Sequence, residues 1–440
     1  MRRPPPRGDP AALTRIVPAP GGRLQRRAAV ATNNIIVGLD IGTTKISTIA
    51  SEIDENNNIN VIGIGLAPSL GLRKGVVVNI EDTTRSIMES ISEAEKMADV
   101  VIDYVYVGVA GSHISSFNTK GVVAVAGEDR EISQADIQRA IEAAKTFAVP
   151  PNREIIHILP RSFTVDDQTG IRDPIGMSGV RLEVDVHIVM GAVTAVQNLI
   201  KSCNRAHLDV ANIVLEPLAS AEAVLTADEK DLGVCLIDIG GGTTDLAVFI
   251  QGAIVHSSVL PVGGSHVTND IAVGLRTTTA RAEELKVKHG AASAEFDKNE
   301  AALEVLNTGG DSSRTITSRS LCEIIEPRME EIFSLVKIEL QKAGCWDHLA
   351  AGVVLTGGTS LLRGAAQLAS RVLDLPVRVG RPINLRGLSE KVNSPLFSTG
   401  VGLIHYGVAN QATHPLGHYQ GSSLFEIVLD RMRGWFREIF

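Results

Sequence analysis

Two glycine-rich segments of this chain combine the residue types that bind phosphate. One reads Asp-Ile-Gly-Thr-Thr-Lys from Asp40 to Lys45, and the other reads Asp-Ile-Gly-Gly-Gly-Thr-Thr-Asp from Asp238 to Asp245. Glycine lets the backbone turn tightly and approach a phosphate without an intervening Cβ atom. The N–H groups of such a turn then point at the anion. A single turn of this kind is just as typical of an ordinary hairpin, but two copies of one pattern favour a shared phosphate ligand.

Glycine backbones, threonine hydroxyls and one lysine are the predicted phosphate contacts. These residues are Gly42, Thr43, Thr44, Lys45, Gly240, Gly241, Gly242, Thr243 and Thr244. The leading carboxylates of the two motifs, Asp40 and Asp238, would be repelled by phosphate. We therefore predict that they bind Mg²⁺, a cation that keeps several of its waters and needs few protein carboxylates.

Apolar runs flank each motif. Residues 35–39 and 46–51 surround the first motif, and residues 234–237 and 246–250 surround the second. Short apolar runs bounded by glycine-rich turns predict strands. Each motif is therefore predicted to be the turn of a β-hairpin, and two facing turns would bind the phosphates of a nucleotide from both sides.

Further glycines follow other strand-like runs. Gly357, Gly358 and Thr359 come after the apolar residues 353–355, and Gly263 and Gly264 come after another such run. Backbone without side chains can lie flat against an adenine or a ribose. We predict that these residues approach the nucleoside.

One carboxylate lies where it could act in catalysis. Glu216 follows the strand-like residues 213–215, and Pro217 after it suits the first turn of a helix. A carboxylate at such a strand end could orient an attacking water. Because no histidine or second acid is clearly paired with Glu216, we predict at most slow hydrolysis and leave open whether the protein is an enzyme.

These motifs resemble the actin-like ATPase superfamily, and within it the FtsA family of bacterial cell-division proteins. The resemblance covers roughly residues 34–440 and rests on these segments: 38–45, 216–217, 238–245, 263–264, 325–328 and 357–359. The phosphate motifs are typical of the whole superfamily. The C-terminal tail and the segment between the two halves point to FtsA.

The resemblance implies an α/β, actin-like fold with two lobes, built from a duplicated ribonuclease-H-like unit with four subdomains and a C-terminal amphipathic helix. The expected divisions are a disordered basic arm (1–32), subdomain 1A (33–111 and 191–207), an inserted subdomain 1C (112–190), subdomain 2A (208–267 and 346–406), subdomain 2B (268–345), a flexible linker (407–422) and the helix (423–440). Residues 291–317 are rich in Ser, Thr and Gly and are expected to be partly loop.

The resemblance also implies ligands and partners. The nucleotide is ATP, and Glu283 and Lys286 have the spacing of a pair that reaches the adenosine, although a solvated helix face is nearly as plausible. Subdomain 2B binds the C-terminal peptide of FtsZ in this family, so Arg314 and Arg319 are basic candidates for that contact. Solvated surface arginines are the alternative for either one. Self-assembly into filaments and contact with other division proteins are also implied.

Composition narrows the function classes. The net charge of −8 and an aromatic content of 4% argue against a nucleic-acid-binding surface. The four cysteines lie far apart, which fits a reducing cytosol and predicts no zinc site. No apolar run approaches the roughly 18 residues that a membrane span needs. The arginine-rich residues 1–32 are best interpreted as a solvated tail or an over-long start of translation, with binding to anionic lipid as the minority interpretation.

The C-terminal segment predicts a helix that lies on a membrane. Ser423 and Glu426 form a capping-box pattern. Large apolar residues then share one side of the helix: Leu424, Phe425, Val428, Leu429, Met432, Trp435, Phe436, Ile439 and Phe440. The other side carries three arginines and three acidic residues, so apolar insertion must supply most of the binding. Docking on the protein itself or in a dimer is the alternative.

Three other functions are possible for a nucleotide-binding protein with this predicted fold. An actin-fold metabolite kinase needs a general-base aspartate near a substrate pocket, and no such residue is evident. A PilM-like assembly ATPase is expected to lack the C-terminal helix. A chaperone needs a β-rich domain after the second half. The resemblance, together with the tail pattern, implies a peripheral membrane protein on the cytoplasmic face of the membrane at the division site, where it is expected to anchor the FtsZ ring.

Replacing Trp435 and Phe436 by glutamate should release the protein from liposomes, because two charges would enter the apolar face of the tail helix. Co-sedimentation with vesicles measures this release, and the unmodified chain without vesicles is the control. Unchanged co-sedimentation of the double variant would contradict the membrane anchor.

Overall fold

The computed structural model describes residues 34–127, 129–146, 149–296, 301–306 and 313–411. Two mixed sheets, each containing one glycine-rich hairpin, form the centres of two lobes. The elements of the first part of lobe 1 are β1 (Ile35–Ile41), β2 (Lys45–Ile53), β3 (Ile59–Pro68), β4 (Leu72–Arg73), β5 (Val76–Val77), α1 (Ile80–Ala98) and β6 (Tyr104–Val109). Strands β1 and β2 pair antiparallel around the first motif, which confirms the predicted hairpin.

A second sheet is inserted after β6. Its elements, called the insert below, are β7 (Ser115–Ala124), α2 (Gln134–Ala144), β8 (Arg153–Val165), β9 (Gln168–Ile171) and β10 (Arg181–Ala192). The strand order is β7-β10-β8-β9, and α2 packs on the sheet through Ile137 and Ile141. The side chain of Ser133 accepts from the N–H of Asp136, whose carboxylate accepts in return from the N–H of Ser133, so a capping box begins α2.

The chain then returns to lobe 1 through α3 (Val193–Arg205) and β11 (Asp209–Leu215), and helix α4 (Glu216–Val224) follows. Strand β11 is the edge of the lobe 1 sheet, where it pairs in parallel with β6. Glu216 is the first residue of α4, immediately after the end of this edge strand. The strand-to-helix junction that the sequence predicted around Glu216 is confirmed.

Lobe 2 follows. Its elements are α5 (Ala227–Leu232), β12 (Val234–Ile239), β13 (Thr244–Ile250), β14 (Ala253–Leu260), α6 (Gly264–Gly274), α7 (Thr279–His289), β15 (Ala302–Leu306), β16 (Ser313–Thr317), α8 (Ser318–Lys342), β17 (Gly352–Thr356), α9 (Ala365–Leu373) and β18 (Val377–Val379). Its main sheet has the order β14-β13-β12-β17-β18. Strands β12 and β13 pair antiparallel around the second motif, which is the second predicted hairpin.

The last part of the chain joins the two lobes. Strand β19 (Leu385–Gly387) pairs with β3 and completes the lobe 1 sheet, whose order is β11-β6-β1-β2-β3-β19. Helices α10 (Ser389–Val392) and α11 (Ser398–Gln411) follow it. Short 3-10 helices are found at Ala294–Phe296, Trp346–His348, Gly358–Leu361 and Pro395–Phe397.

Two expectations need correction. Residues 302–306 and 313–317, expected to be partly loop, form an antiparallel hairpin, in which the buried Leu303 and Val305 alternate with exposed residues. Residues 407–411, assigned to a flexible linker, are the last turn of α11. The remainder of that linker, the basic arm and the tail helix lie outside the described residues.

Helices α4 and α11 pack against each other where the lobes meet. A Cβ atom on Gly402 of α11 would overlap the backbone oxygen of Ala219 in α4. A Cβ atom on Gly38 of β1 would similarly overlap the backbone oxygen of Gly400. Glycine therefore allows α11 to contact both the first hairpin and α4 at backbone distance.

Gly402→Ala should lower the melting temperature by about 5 °C or more, because the added methyl group meets backbone that cannot rotate away. Thermal unfolding followed by circular dichroism measures this. Gly274→Ala in α6 is the matched control, since the added atom there meets only the flexible end of the Ile324 side chain at 3.0 Å. Equal melting temperatures for the two variants would contradict the tight contact.

Candidate functional site

A cleft of about 440 Å³ lies between the two hairpins. Most of the residues that the sequence predicted to bind the nucleotide line it: Asp40, Gly42, Thr43, Thr44, Lys45, Glu216, Asp238, Gly240, Gly241, Gly242, Thr243, Gly264, Glu283, Lys286, Gly357, Gly358 and Thr359. They come from both lobes and lie far apart in the sequence. The fold therefore brings the two phosphate-type motifs to one cavity.

The two glycine-rich turns touch each other across the cleft. A Cβ atom on Gly241 would overlap the side chain of Thr44, and one on Gly242 would overlap the side chain of Thr43. The approach is thus possible only because the second turn has no side chains at these positions. The hydroxyl oxygen of Thr43 also accepts from the N–H of Gly75 at 3.2 Å, which fixes the first turn against the β4–β5 hairpin.

The first turn carries an ion pair. Lys45 Nζ lies 3.0 Å from Asp40 Oδ2 and 3.1 Å from Ser47 Oγ. The hydroxyl of Ser47 donates to the same aspartate oxygen at 3.3 Å. The ammonium also lies 5.5 Å from the ring centre of Phe397. These contacts hold the positive charge of Lys45 at the cleft, beside the carboxylate of Asp40.

The second leading aspartate is held by hydroxyls from the two helices that join the lobes. Ser220 of α4 donates to Asp238 Oδ2 at 2.6 Å, and Thr399 of α11 donates to the same oxygen at 3.3 Å. Gly357, whose φ is +81°, lies so close that a Cβ atom would overlap Asp238 Oδ1. Burial and the negative charge of Asp40 raise the pKa of Asp238 to about 6, against the effect of the two hydroxyls.

Two more carboxylates face the same cavity. Burial, with the charges of Asp40, Asp245 and Asp238, raises the pKa of Glu216 well above its ordinary value. Burial and the charge of Asp238 do the same to the pKa of Asp245. Thr243 donates to Asp245 Oδ2 at 2.8 Å, but the buried Oδ1 atom has no hydrogen-bond partner. Asp245 ends the second glycine-rich motif, and no role was predicted for it from the sequence.

This cluster fits a bound divalent cation. Four carboxylates (Asp40, Asp238, Asp245 and Glu216) line one cavity, and one of their buried oxygens is unpaired. No group of three or more His, Cys, Asp or Glu residues is close enough to enclose a metal ion within the part of the chain that the structure describes. Few direct ligands are what Mg²⁺ accepts, since it keeps most of its water.

Similarity to known proteins identifies the family. A family model described as "Cell division protein FtsA" matches residues 235–402, and one described as "SHS2 domain inserted in FTSA" matches residues 111–190. The chain is 46% identical to the cell division protein FtsA of Pseudomonas aeruginosa, over 93% of this chain and 99% of that protein. It belongs to the FtsA family of cell division proteins. Residues 111–190 contain the whole insert except the last two residues of β10.

Solved structures confirm the actin-like fold. The chain of a PilM–PilN type IV pilus biogenesis complex aligns with a TM-score of 0.63 at 19% identity, covering 85% of this chain and 98% of that one. MreB5 of Spiroplasma citri bound to ADP aligns with a TM-score of 0.53 at 15% identity, covering 87% and 99%. The α/β fold with two lobes that was expected from the FtsA resemblance is therefore correct.

Thr244, a predicted phosphate contact of this FtsA-family chain, and Gly263, a predicted nucleoside contact, do not line the cleft. The hydroxyl of Thr244 donates to the backbone oxygen of Val262 at 2.8 Å, and its side chain is fully buried. Gly263 lies behind the second turn, where a Cβ atom would meet the backbone oxygens of Gly240, Thr243 and Gly241. Both residues support the turn from its far side, which sequence spacing alone could not distinguish from contact with a ligand.

Lobe 2 adds a charged pair and two exposed apolar residues to the lining of the cleft. Lys286 of α7 donates to the backbone oxygen of Gly264 at 3.1 Å and lies 2.7 Å from the carboxylate of Glu283. Val287 and Leu361 also line the cleft, although both are exposed. Apolar side chains beside polar groups suit a planar base, and neither apolar residue was predicted from the sequence.

The predicted partner and membrane residues lie elsewhere. Arg314 is exposed on β16, and Arg319 is exposed on α8, where it lies 3.4 Å from Glu323. Neither lines the cleft. The predicted membrane residues of the tail lie outside the described residues. No helix among residues that the structure describes has the length and apolar character of a membrane span.

The raised pKa of Asp238 predicts a pH dependence. Between an ordinary value of 3.8 and about 6, the folded protein holds a proton that the unfolded chain has released, so this group makes the free energy of unfolding fall as pH rises. Asp238→Asn removes the effect. The variant should gain about 2–3 kcal/mol relative to the unmodified protein between pH 4 and pH 7. Urea unfolding of both proteins without nucleotide measures the difference, with Asp347→Asn on the surface as control. Parallel pH curves would contradict the raised pKa.

Proposed function

We propose that this FtsA-family protein binds Mg²⁺ and ATP in the cleft between its lobes. The observation that carries the proposal is the contact between the two glycine-rich turns, which brings the glycine backbones of the second turn together with Thr43, Thr44 and Lys45 in the lining of one carboxylate-containing cavity. A triphosphate between the turns would face donors from both lobes.

Specific residues would take specific parts of the ligand. Lys45, Gly42 and the glycines of the second turn would face the phosphates. Asp40 and Asp238, helped by the unpaired oxygen of Asp245, would hold the hydrated cation. When bound, Mg²⁺ would offset the charge of the phosphates. Gly358, Thr359 and Val287 would border the nucleoside.

Glu216 is the candidate for orienting water during hydrolysis. Its carboxylate lines the cleft from the N-terminus of α4, and the backbone of Gly108 leaves room for it, since a Cβ atom there would lie 2.9 Å from Glu216 Cγ. A carboxylate in this position could orient an attacking water. No histidine lines the cleft within the described part of the chain, so we infer slow turnover.

We further infer that the protein is tethered to the membrane and links it to the division ring. Family membership supports a role in cell division, and the amphipathic pattern of residues 424–440 supports binding to the cytoplasmic face of the membrane. One such tail would bind reversibly, whereas several tails on one filament would bind much more firmly. Arg314 and Arg319 remain candidates for the acidic C-terminal peptide of FtsZ.

Two other functions have less support. The likeness to the pilus protein is at 19% identity and concerns the fold alone, whereas the FtsA relative matches at 46% over nearly its whole length. A metabolite kinase would need a substrate pocket beside the phosphates. In the cleft between the hairpins, carboxylates line the end where the phosphates would lie.

Gly241→Asp should abolish ATP binding, because the new side chain overlaps Thr44 and places a negative charge where phosphate would lie. Binding of a fluorescent ATP analogue measures this loss. Flotation on vesicles, with and without ATP and an FtsZ C-terminal peptide, tests the membrane tether separately. Gly274→Asp is the matched control, since Gly274 is exposed at the end of α6, away from the cleft, and its Cβ position meets only the flexible end of the Ile324 side chain at 3.0 Å. Retained ATP affinity in Gly241→Asp would refute the phosphate site.

A further inference from the structure

The insert touches the strand end that carries Glu216. His157 lies on β8 of the insert, is 5% exposed, and accepts a hydrogen bond at Nε2 from the backbone N–H of Leu215 at 3.0 Å. Leu215 is the last residue of β11 and precedes Glu216 directly. Because Nε2 accepts, the ring proton must be on Nδ1.

This hydrogen bond holds the end of β11, a strand that has a neighbouring strand on one side only. Strand β11 is the edge of the lobe 1 sheet and pairs only with β6. Leu215 is also the N-cap residue of α4, and no side-chain cap is present there. His157 thus supplies the side-chain contact at the point where the chain turns from β11 into α4. A shift of this N–H would move the backbone of Glu216 with it.

The histidine is itself held from two sides. Within the insert its strand pairs with β10, where His157 lies opposite Val189. On the other side its ring meets the ring of Tyr406 in α11 edge to face, with the centroids 6.2 Å apart. His157 therefore joins the insert to both helices, α4 and α11, whose hydroxyls hold Asp238.

The insert is also fastened to lobe 2. Ser116 donates to the backbone oxygen of Ser257 at 2.7 Å, and Asn118 donates to the backbone oxygen of Val255 at 3.0 Å, so both cap the edge strand β14. His187 lies 2.7 Å from the side-chain oxygen of Asn118 and 2.8 Å from the hydroxyl of Ser257. A movement of lobe 2 relative to lobe 1 would therefore act on the insert, and through it on His157.

We propose that His157 is a positioning residue, through which the insert sets the place of the Glu216 carboxylate in the cleft. The proposal rests on the proposed function, because Glu216 acts only if ATP is bound there. His157 does not touch the nucleotide; it acts through the backbone of Leu215 and Glu216. Loss of its hydrogen bond should slow ATP hydrolysis and leave ATP affinity nearly unchanged.

His157→Phe, which keeps a ring for Tyr406 but has no acceptor, should hydrolyse ATP about tenfold more slowly in single-turnover assays, with ATP affinity within about twofold. His157→Gln, whose amide oxygen can reach the N–H of Leu215, should restore the rate to within about threefold of the unmodified protein. If His157→Phe fails to fold, His157→Asn replaces it, because its shorter amide is polar but cannot reach.

A double-mutant cycle separates positioning from a general structural role. If His157 acts through Glu216, His157→Phe added to Glu216→Gln should slow hydrolysis no further. Additive losses, an unchanged rate in His157→Phe, or no restoration by His157→Gln would overturn the proposal. An unmodified protein that binds ATP without hydrolysing it would overturn this proposal and leave the proposed nucleotide site standing, whereas one that binds no ATP would refute the site itself.

Discussion

The contact between two side-chain-free turns is the constraint on which the rest of this structure depends. Thr43 and Thr44 of one hairpin meet Gly241 and Gly242 of the other at distances that exclude any Cβ atom. The hairpins belong to different sheets, so the lobes must be joined closely enough to bring the turns together. Helices α4 and α11 do this through a backbone contact at Gly402.

The same closeness creates an electrostatic problem. It places several carboxylates in one cavity, and burial together with mutual repulsion raises the pKa values of Asp238, Asp245 and Glu216. Lys45 compensates only part of this charge. A divalent cation bound among these carboxylates would relieve their mutual repulsion.

The insert connects the carboxylate-lined cleft to a part of the protein outside the two lobes. It contacts β14 in lobe 2 through Ser116 and Asn118, and it contacts the β11–α4 junction through His157. An element that touches both lobes beside the joining helices can respond when their relative position changes. In an FtsA-family protein, an insert placed in this way would couple the relative position of the two lobes to the binding of a partner on the insert.

Local pattern was sufficient for both hairpins and for most of the residues that line the cleft. Glycine turns between apolar runs predicted the hairpins, because this signal comes from local backbone conformation. The hairpin β15–β16 was missed because a five-residue strand among Ser, Thr and Gly resembles a loop. The end of α11 was misplaced because Gly407 suggested a linker, although a glycine there lets the helix pack on Ile36 and Tyr106.

What the sequence determined by itself was the chemistry: two phosphate-type turns, their aspartates, and an amphipathic tail. Only the tertiary structure decided which groups share the cavity. It buried the side chain of Thr244 in the core and left one oxygen of Asp245 without a hydrogen-bond partner in the cleft. It also placed His157 against Leu215, which is 58 residues away in the sequence. The reason is physical: residue type and spacing fix local backbone conformation, whereas the direction of a side chain and its distant neighbours depend on how separate elements pack.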